Sequence, residues 1–243
     1  AREAGAVAAC CTLTSAARDA ENARELGAAL DSLGLDPLII PGEVEGALTF
    51  LGVAQDFRGR RLLVADNGGG STELTLGSLS TDGALELRFV RSVDVGCRRV
   101  TEKFLASEGP ASKDELASAH AFAAHAFAPV VEEGGLWAAG SGRAVADAPE
   151  LLVVCGGTVT SLVAIDKGLE PYDSSKVHLC ALPRERVEAL EAALTVGNVR
   201  HLEGGRALLR YVADEPRVPG SAPAEPTLED LYLYLFRDGA AAG

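Results

Sequence analysis

The chain has no methionine, one tryptophan and only 22 lysines and arginines, against 35 aspartates and glutamates, in 243 residues. The missing methionine, at the start and throughout, suggests a fragment of a longer protein. A net charge of −13 leaves no basic stripe to replace counterions around a phosphate backbone, so no nucleic-acid partner is expected. No run approaches the roughly 18 consecutive apolar residues of a membrane span, and the first residues carry no signal-peptide pattern, so no membrane partner is expected either. Cys10, Cys11, Cys97, Cys155 and Cys180 show no CxxC spacing and mostly sit in apolar runs. Buried, reduced thiols in a cytoplasmic protein are the expectation. A GxxxxGK[ST] loop is also absent, which excludes a P-loop nucleotidase. His120 and His125 are five residues apart, a spacing that does not place two imidazoles on one helical face, so no metal site is expected there.

What is present is ample core, with 47% hydrophobic residues, and one unusual stretch. Residues 62–76, LLVADNGGGSTELTL, set two apolar strand-like runs around a carboxylate, three glycines, a hydroxyl and a second carboxylate. Glycine accepts positive φ and lets a ligand approach the backbone, so such a hairpin can turn several N–H groups into one concavity. Each hydrogen bond to a charged oxygen is worth roughly 1.5–3 kcal/mol, enough for a few donors to fix a phosphate without lysine. Asp66 and Glu73, at the two ends of the loop, could hold a divalent cation. The alternative is an ordinary glycine-rich β-turn. Arg88, Arg91, Arg98 and Arg99 follow closely, either as a basic lining for a polyanion or as a solvated edge.

Along the rest of the chain, residues 6–14 read as a buried strand. A helix capped by Ser15 is expected to run through Leu26, Ala29, Leu30 and Leu33 to Gly34. A strand at 37–40 leads to a helix that opens at Gly42 and ends near Val53. Glu43 and Glu45 in its first turn suit the helix dipole, or one of them is catalytic. Residues 83–91 extend the hairpin into a meander, 95–105 read as a glycine-led amphipathic helix, 110–131 as a helix and 132–149 as a loop or insertion. A second strand, 151–155, runs into Gly156-Gly157-Thr158 and a helix whose first amides would face an anion. A further helix is expected over about 184–194. His178 reads as a structural hydrogen-bonding residue.

The order of these motifs resembles the exopolyphosphatase / guanosine pentaphosphate phosphohydrolase (Ppx/GppA) family. TSAARDAEN at 14–22 is similar to its TSAxRDAxN element, GEVEGAL at 42–48 to GEEEAxL, and DNGGGSTEL at 66–74 to DIGGGSTEL. VGCRRVTE at 95–102 resembles LGCVRLTE, GGT at 156–158 is the family's GGT, and YDSSKVH at 172–178 resembles YDPxKVHG. The resemblance implies an α/β, actin-like ATPase or ribonuclease-H-like fold with one half incomplete. By it, residues 1–41 would be the remnant of an N-terminal half, 42–214 the second half, and 215–243 a proline-rich linker and short helical tail. It implies release of terminal phosphate from inorganic polyphosphate or guanosine pentaphosphate, with Glu45 activating water and Mg2+ positioned by Asp66 and Glu73. Gly68, Gly69, Gly70 and Ser71 would cradle phosphate, Arg18 would help hold it, and Gly157 with Thr158 would line the other side. A homodimer is kept open as the assembly.

Departures from the family pattern are also visible. Val44 replaces an acidic residue, the usual arginine is missing from 47–49, and Asn67 stands where an apolar residue or Gln is common. The family's first, DxGSNS-like phosphate loop would precede residue 1. A catalytically inactive phosphate- or nucleotide-binding module is therefore the alternative, and a kinase of the same superfold a third reading that lacks a recognisable adenosine pocket. The segment EPTLEDLYLYLF at 225–236 resembles the tail of ABC-transporter ATP-binding subunits, with Thr227 as a helix cap.

Overall fold

Short runs rich in Leu and Val make the strands, and polar or glycine-containing segments end them. The computed structural model describes residues 5, 7, 10–105, 111–136, 148–193, 195–202 and 206–212, with side chains to residue 190. The chain divides into two units, Ala1–Phe104 with Ser118–Gly156 and Leu105–Ala117 with Gly157–Gly243.

In the first unit β1 (Cys11–Leu13) pairs in parallel with β2 (Pro37–Ile39). The strand expected over 6–14 is thus three residues long, and residues 6, 8 and 9 lie outside the described set. The single helix expected between these strands is two helices, α1 (Ser15–Asp19) and α2 (Ala23–Ser32). The break falls at Ala20, whose backbone is extended at φ −74° and ψ 127°. Asp19 and Asn22 flank it, and such side chains compete with the helical backbone for hydrogen bonds. Ser15, expected as the cap, is instead the first helical residue and buried. Gly34, at φ +75°, ends the segment as expected, because only glycine takes this left-handed position without strain.

Helix α3 (Gly42–Val53) has the expected bounds and is followed by a 3-10 turn, Ala54–Phe57. The meander then forms as β3 (Arg61–Asn67), β4 (Thr72–Leu79) and β5 (Leu85–Val93). Helices α4 (Cys97–Phe104) and α5 (Lys113–Glu133) follow, then β6 (Leu151–Cys155). The four strands form one sheet in the order β5-β4-β3-β6, antiparallel except for β6, which runs parallel to β3.

Side chains alternate across this sheet. Leu62, Val64 and Leu79 pack with Phe50 and Ala54 of the α3 region, each no more than 2% exposed. On the opposite face Leu74, Leu76 and Val93 meet Val95 and Leu136, with Phe122, Phe127 and Val130 of α5 against them. Burying one such Leu, Val or Phe contributes about 1.5–3 kcal/mol, so the two-sided cover holds the hairpin stems rigid. Residues 137–147 of the expected loop lie outside the described set.

The second unit includes α6 (Gly157–Lys167), the short α7 (Ser174–Val177) and α8 (Arg184–Ala193). Asp173 caps α7 by accepting the Ser175 amide at 3.0 Å. A two-stranded antiparallel hairpin, β7 (Thr195–Leu202) and β8 (Arg206–Val212), follows. The expected proline-rich linker and tail helix at 215–243 lie outside the described residues. Among the described residues no helix is long and apolar enough to cross a membrane. All five cysteines are free, yet none is fully buried: Cys10 and Cys97 are exposed and the others half-buried. Apolar sequence context misjudged these thiols because they sit at strand and helix ends.

Candidate active site

The site grows from the way α3 lies on the sheet. Gly42 and Gly46, four residues apart, share one face of α3, and both are buried. A Cβ on Gly42 would sit 2.3 Å from Ser92 Cβ, and one on Gly46 3.1 Å from Glu73 Cβ. Glycine in a helix costs up to about 1 kcal/mol relative to alanine, so close approach to the sheet explains the pair. That approach brings Glu45 and Thr49 of α3 over the ends of β3 and β4. Asp66 and Glu73 are there, paired in register across the hairpin and therefore on one face.

Hydroxyls orient both carboxylates. Thr49 Oγ1 donates to Asp66 Oδ2 at 2.8 Å, and Ser92 Oγ donates to Glu73 Oε1 at 2.7 Å. Arg18, the penultimate residue of α1, reaches in from the side. Its Nη1 donates to the Ile40 carbonyl at 2.8 Å and to Glu45 Oε2 at 3.1 Å, and its Nη2 lies 4.0 Å from Glu73 Oε1. Glu73 is only 2% exposed. Burial pushes its pKa above the ordinary carboxylate value; the Ser92 and Ser71 hydroxyls pull it down, and the negative charges of Glu45 and Asp66 raise it further. Two carboxylates, Glu45 and Glu73, thus face the Arg18 guanidinium, and the Asp66 charge acts on Glu73 beside them. The same physics acts on Cys155, the register partner of Asp66 on β6: burial, then the Asp66 charge, push its thiol up and away from thiolate chemistry.

Residues 68–71 close the hairpin. The expected positive φ is not found at Gly68, Gly69 or Gly70. Crowding explains glycine at Gly70, where a Cβ would lie 2.4 Å from Ser15 Oγ, whereas at Gly68 and Gly69 a Cβ would make only ordinary contacts, at 3.4 and 3.7 Å. The Gly68 amide donates to the Ser71 carbonyl at 2.9 Å. The carbonyl of Gly68 accepts the Cys97 amide at 3.0 Å, and that of Gly69 accepts the Arg98 and Arg99 amides at 2.9 and 3.0 Å. In a trans peptide the C=O of one residue and the N–H of the next point in opposite directions. The Gly69 and Gly70 amides therefore face away from α4, and among the described residues neither has a hydrogen-bond acceptor. That is the donor arrangement an anion needs.

Of the predicted site residues, Arg18, Glu45, Asp66, Gly68, Gly69, Gly70, Ser71 and Glu73 come together in the first unit. Gly157 and Thr158 open α6 in the second unit, both exposed. The arginines expected as a lining or an edge are paired: Arg88 with Glu86, Arg91 with Glu133, and Arg98 with Glu102. Only Arg99 turns to the loop. Thr49, Ser92 and Arg99 have roles that sequence reasoning missed. The β-branched Thr49 and the strand residue Ser92 gave no local signal, because their partners lie 17 and 19 positions away.

Asp66 and Glu73 offer the hard carboxylate oxygens that Mg2+ prefers, side by side and oriented by hydroxyls, which fits a cation that keeps several waters and takes one or two carboxylates plus substrate phosphate. Among the described residues no group of three or more His, Cys, Asp or Glu is gathered for a metal.

The chain is 31% identical over 180 residues to Exopolyphosphatase 2 of Mycobacterium tuberculosis, an alignment covering 70% of this chain and 50% of that protein. It spans about half the length of that curated relative. The crystal structure of an exopolyphosphatase-like protein superposes with a TM-score of 0.62 at 28% identity, covering 75% of this chain and 54% of the other. The Ppx/GppA protein of Aquifex aeolicus superposes with a TM-score of 0.59 at 27% identity, covering 77% and 55%. The fold is thus the actin-like α/β fold of these phosphatases. The sequence pattern of the Ppx/GppA phosphatase family matches residues 3–167, and with the carboxylate cluster and glycine loop in place the chain belongs to that family.

Proposed function

We propose that this chain contributes the carboxylate side of a phosphohydrolase site that releases terminal phosphate from inorganic polyphosphate or guanosine pentaphosphate. The observation that supports it most is Arg18 lying between Glu45 and Glu73 beside a loop whose Gly69 and Gly70 amides have no protein acceptor among the described residues. Phosphoryl transfer asks little of the protein beyond positioning, charge neutralisation and an aligned nucleophile. The loop amides of 69–71 would bind phosphoryl oxygens, and Arg18 would neutralise a neighbouring one. Glu45, at the start of α3, would take the proton of the attacking water. Asp66 and Glu73 would hold Mg2+, which supplies charge neutralisation at the phosphoryl group when bound. In the second unit Gly157 and Thr158 begin α6, whose first amides would face an anion.

The test is phosphate release from polyphosphate with and without Mg2+, by the wild-type chain and by Glu45→Gln. We expect release that needs Mg2+ and falls at least about 100-fold in the variant, the lower range for loss of a general base. An equally fast variant with retained fold would remove Glu45 from this role. Calorimetric binding of polyphosphate without release would instead identify a non-catalytic phosphate-binding module.

A further inference from the structure

We propose that Arg99 is a positioning residue for the phosphate loop, joining the last glycine of the loop to the helix that carries Arg18. The inference rests on the phosphate-loop reading above. Of the three glycine carbonyls in the loop, those of Gly68 and Gly69 are held by backbone amides at the start of α4. The third, that of Gly70, is held by a side chain: Arg99 Nε donates to it at 2.6 Å. Because this peptide is trans, fixing the Gly70 carbonyl toward α4 aims the Ser71 amide the other way, alongside those of Gly69 and Gly70. Arg99 thus orients the third donor of the cradle.

Its other arm reaches α1. Arg99 Nη2 pairs with Asp19 and lies 3.5 Å from Ser15 Oγ and 3.7 Å from Asp94 Oδ1. Asp19 follows Arg18 directly, and α1 is a short helix ending at the break described above. Arg18 is held at its guanidinium by the Ile40 carbonyl and Glu45, and the Arg99–Asp19 pair adds a restraint on the short helix that carries it. The contact is tight: a Cβ on Gly70 would meet Ser15 Oγ at 2.4 Å and Arg99 Nη2 at 3.5 Å. A planar fork that serves a carbonyl on one edge and a carboxylate on the other is a task for arginine; lysine offers only a point charge.

Two measurements on the intact chain test this. Calorimetry with tripolyphosphate should show binding weakened about tenfold by Arg99→Gln and less by Arg99→Lys, while Arg91→Gln, which removes an exposed pair with Glu133, binds as the wild type does. Hydrogen exchange should then show faster exchange at the Gly68, Cys97 and Arg98 amides, whose bonds hold the loop, and in 15–20 for Arg99→Gln, with β3 and β4 unchanged. Asp19→Asn, which cuts one arm only, should loosen 15–20 and leave the Gly68, Cys97 and Arg98 amides protected. Wild-type affinity together with unchanged exchange in Arg99→Gln would overturn the proposal, as would loosening spread evenly over the sheet. Should the wild-type chain itself fail to bind tripolyphosphate, the functional reading falls, and the exchange pattern still decides whether Arg99 anchors the loop.

Discussion

Replacing glycine by alanine at two places in α3 should have opposite effects, and the contrast tests how the site is built. At Gly42 the new Cβ would lie 2.3 Å from Ser92 Cβ and 2.4 Å from Ser92 Oγ. Rotating Ser92 frees its hydroxyl but not its Cβ, so the helix must lift from the sheet. Overpacking of this kind costs about 1–3 kcal/mol. If Ser92 also leaves Glu73, a hydrogen bond to a buried carboxylate is lost, worth roughly 1.5–3 kcal/mol. The gain in helix propensity, below about 1 kcal/mol, does not compensate. Gly42→Ala should therefore lose about 2–4 kcal/mol. At Gly52, near the end of the same helix, nothing lies within 4 Å of a Cβ, and Gly52→Ala should gain about 0.5–1 kcal/mol. Urea unfolding followed by circular dichroism reads both. A Gly42→Ala chain as stable as the wild type would refute close helix–sheet packing as the reason for the glycine, and a matching loss at Gly52 would show that the effect is not steric.

Two further outcomes follow from the buried polar groups of β4. The Glu73 carboxyl has a raised pKa in the folded chain, so the folded state holds its proton more tightly than the unfolded state does. Its contribution to stability should therefore improve as pH falls from neutral through the folded pKa and level off below the unfolded value. Glu73→Gln should flatten that part of the stability–pH curve, and an unchanged slope would count against the burial argument. Thr75 is 1% exposed and among the described residues its Oγ1 has no hydrogen-bond partner; Thr75→Val keeps the shape and should raise stability by about 1 kcal/mol in the same urea assay, whereas a loss would reveal a hidden partner.

The features legible in the sequence were those with local causes. Residues 66–73 announce a hairpin because apolar alternation on both sides fixes the register, and Asp66 faces Glu73 as a result. The bounds of α3 follow from Pro41-Gly42 and its apolar run. What escaped was set by distant neighbours. The split between α1 and α2 is invisible to a 3.6-residue period that continues through Ala20. The glycines of the loop suggested unusual dihedrals, but Gly70 serves to make room for Ser15, a residue 55 positions earlier, which only the folded chain places there. Arg99 looked like one of four equivalent arginines, and only tertiary structure separates the one that grips the loop from three whose carboxylate partners lie along the exposed surface.

The hairpin register has an evolutionary consequence. Side chains on β4 alternate in parity, so a one-residue slip of β4 against its neighbours would send Glu73 into the leucine layer and bring Leu74 to the carboxylate face. Pairing with β3 on one side and β5 on the other opposes that slip. Changes of loop length therefore fall on the loop itself, where they would pull Gly68 and Gly69 off the amides of α4 before they disturb the carboxylates.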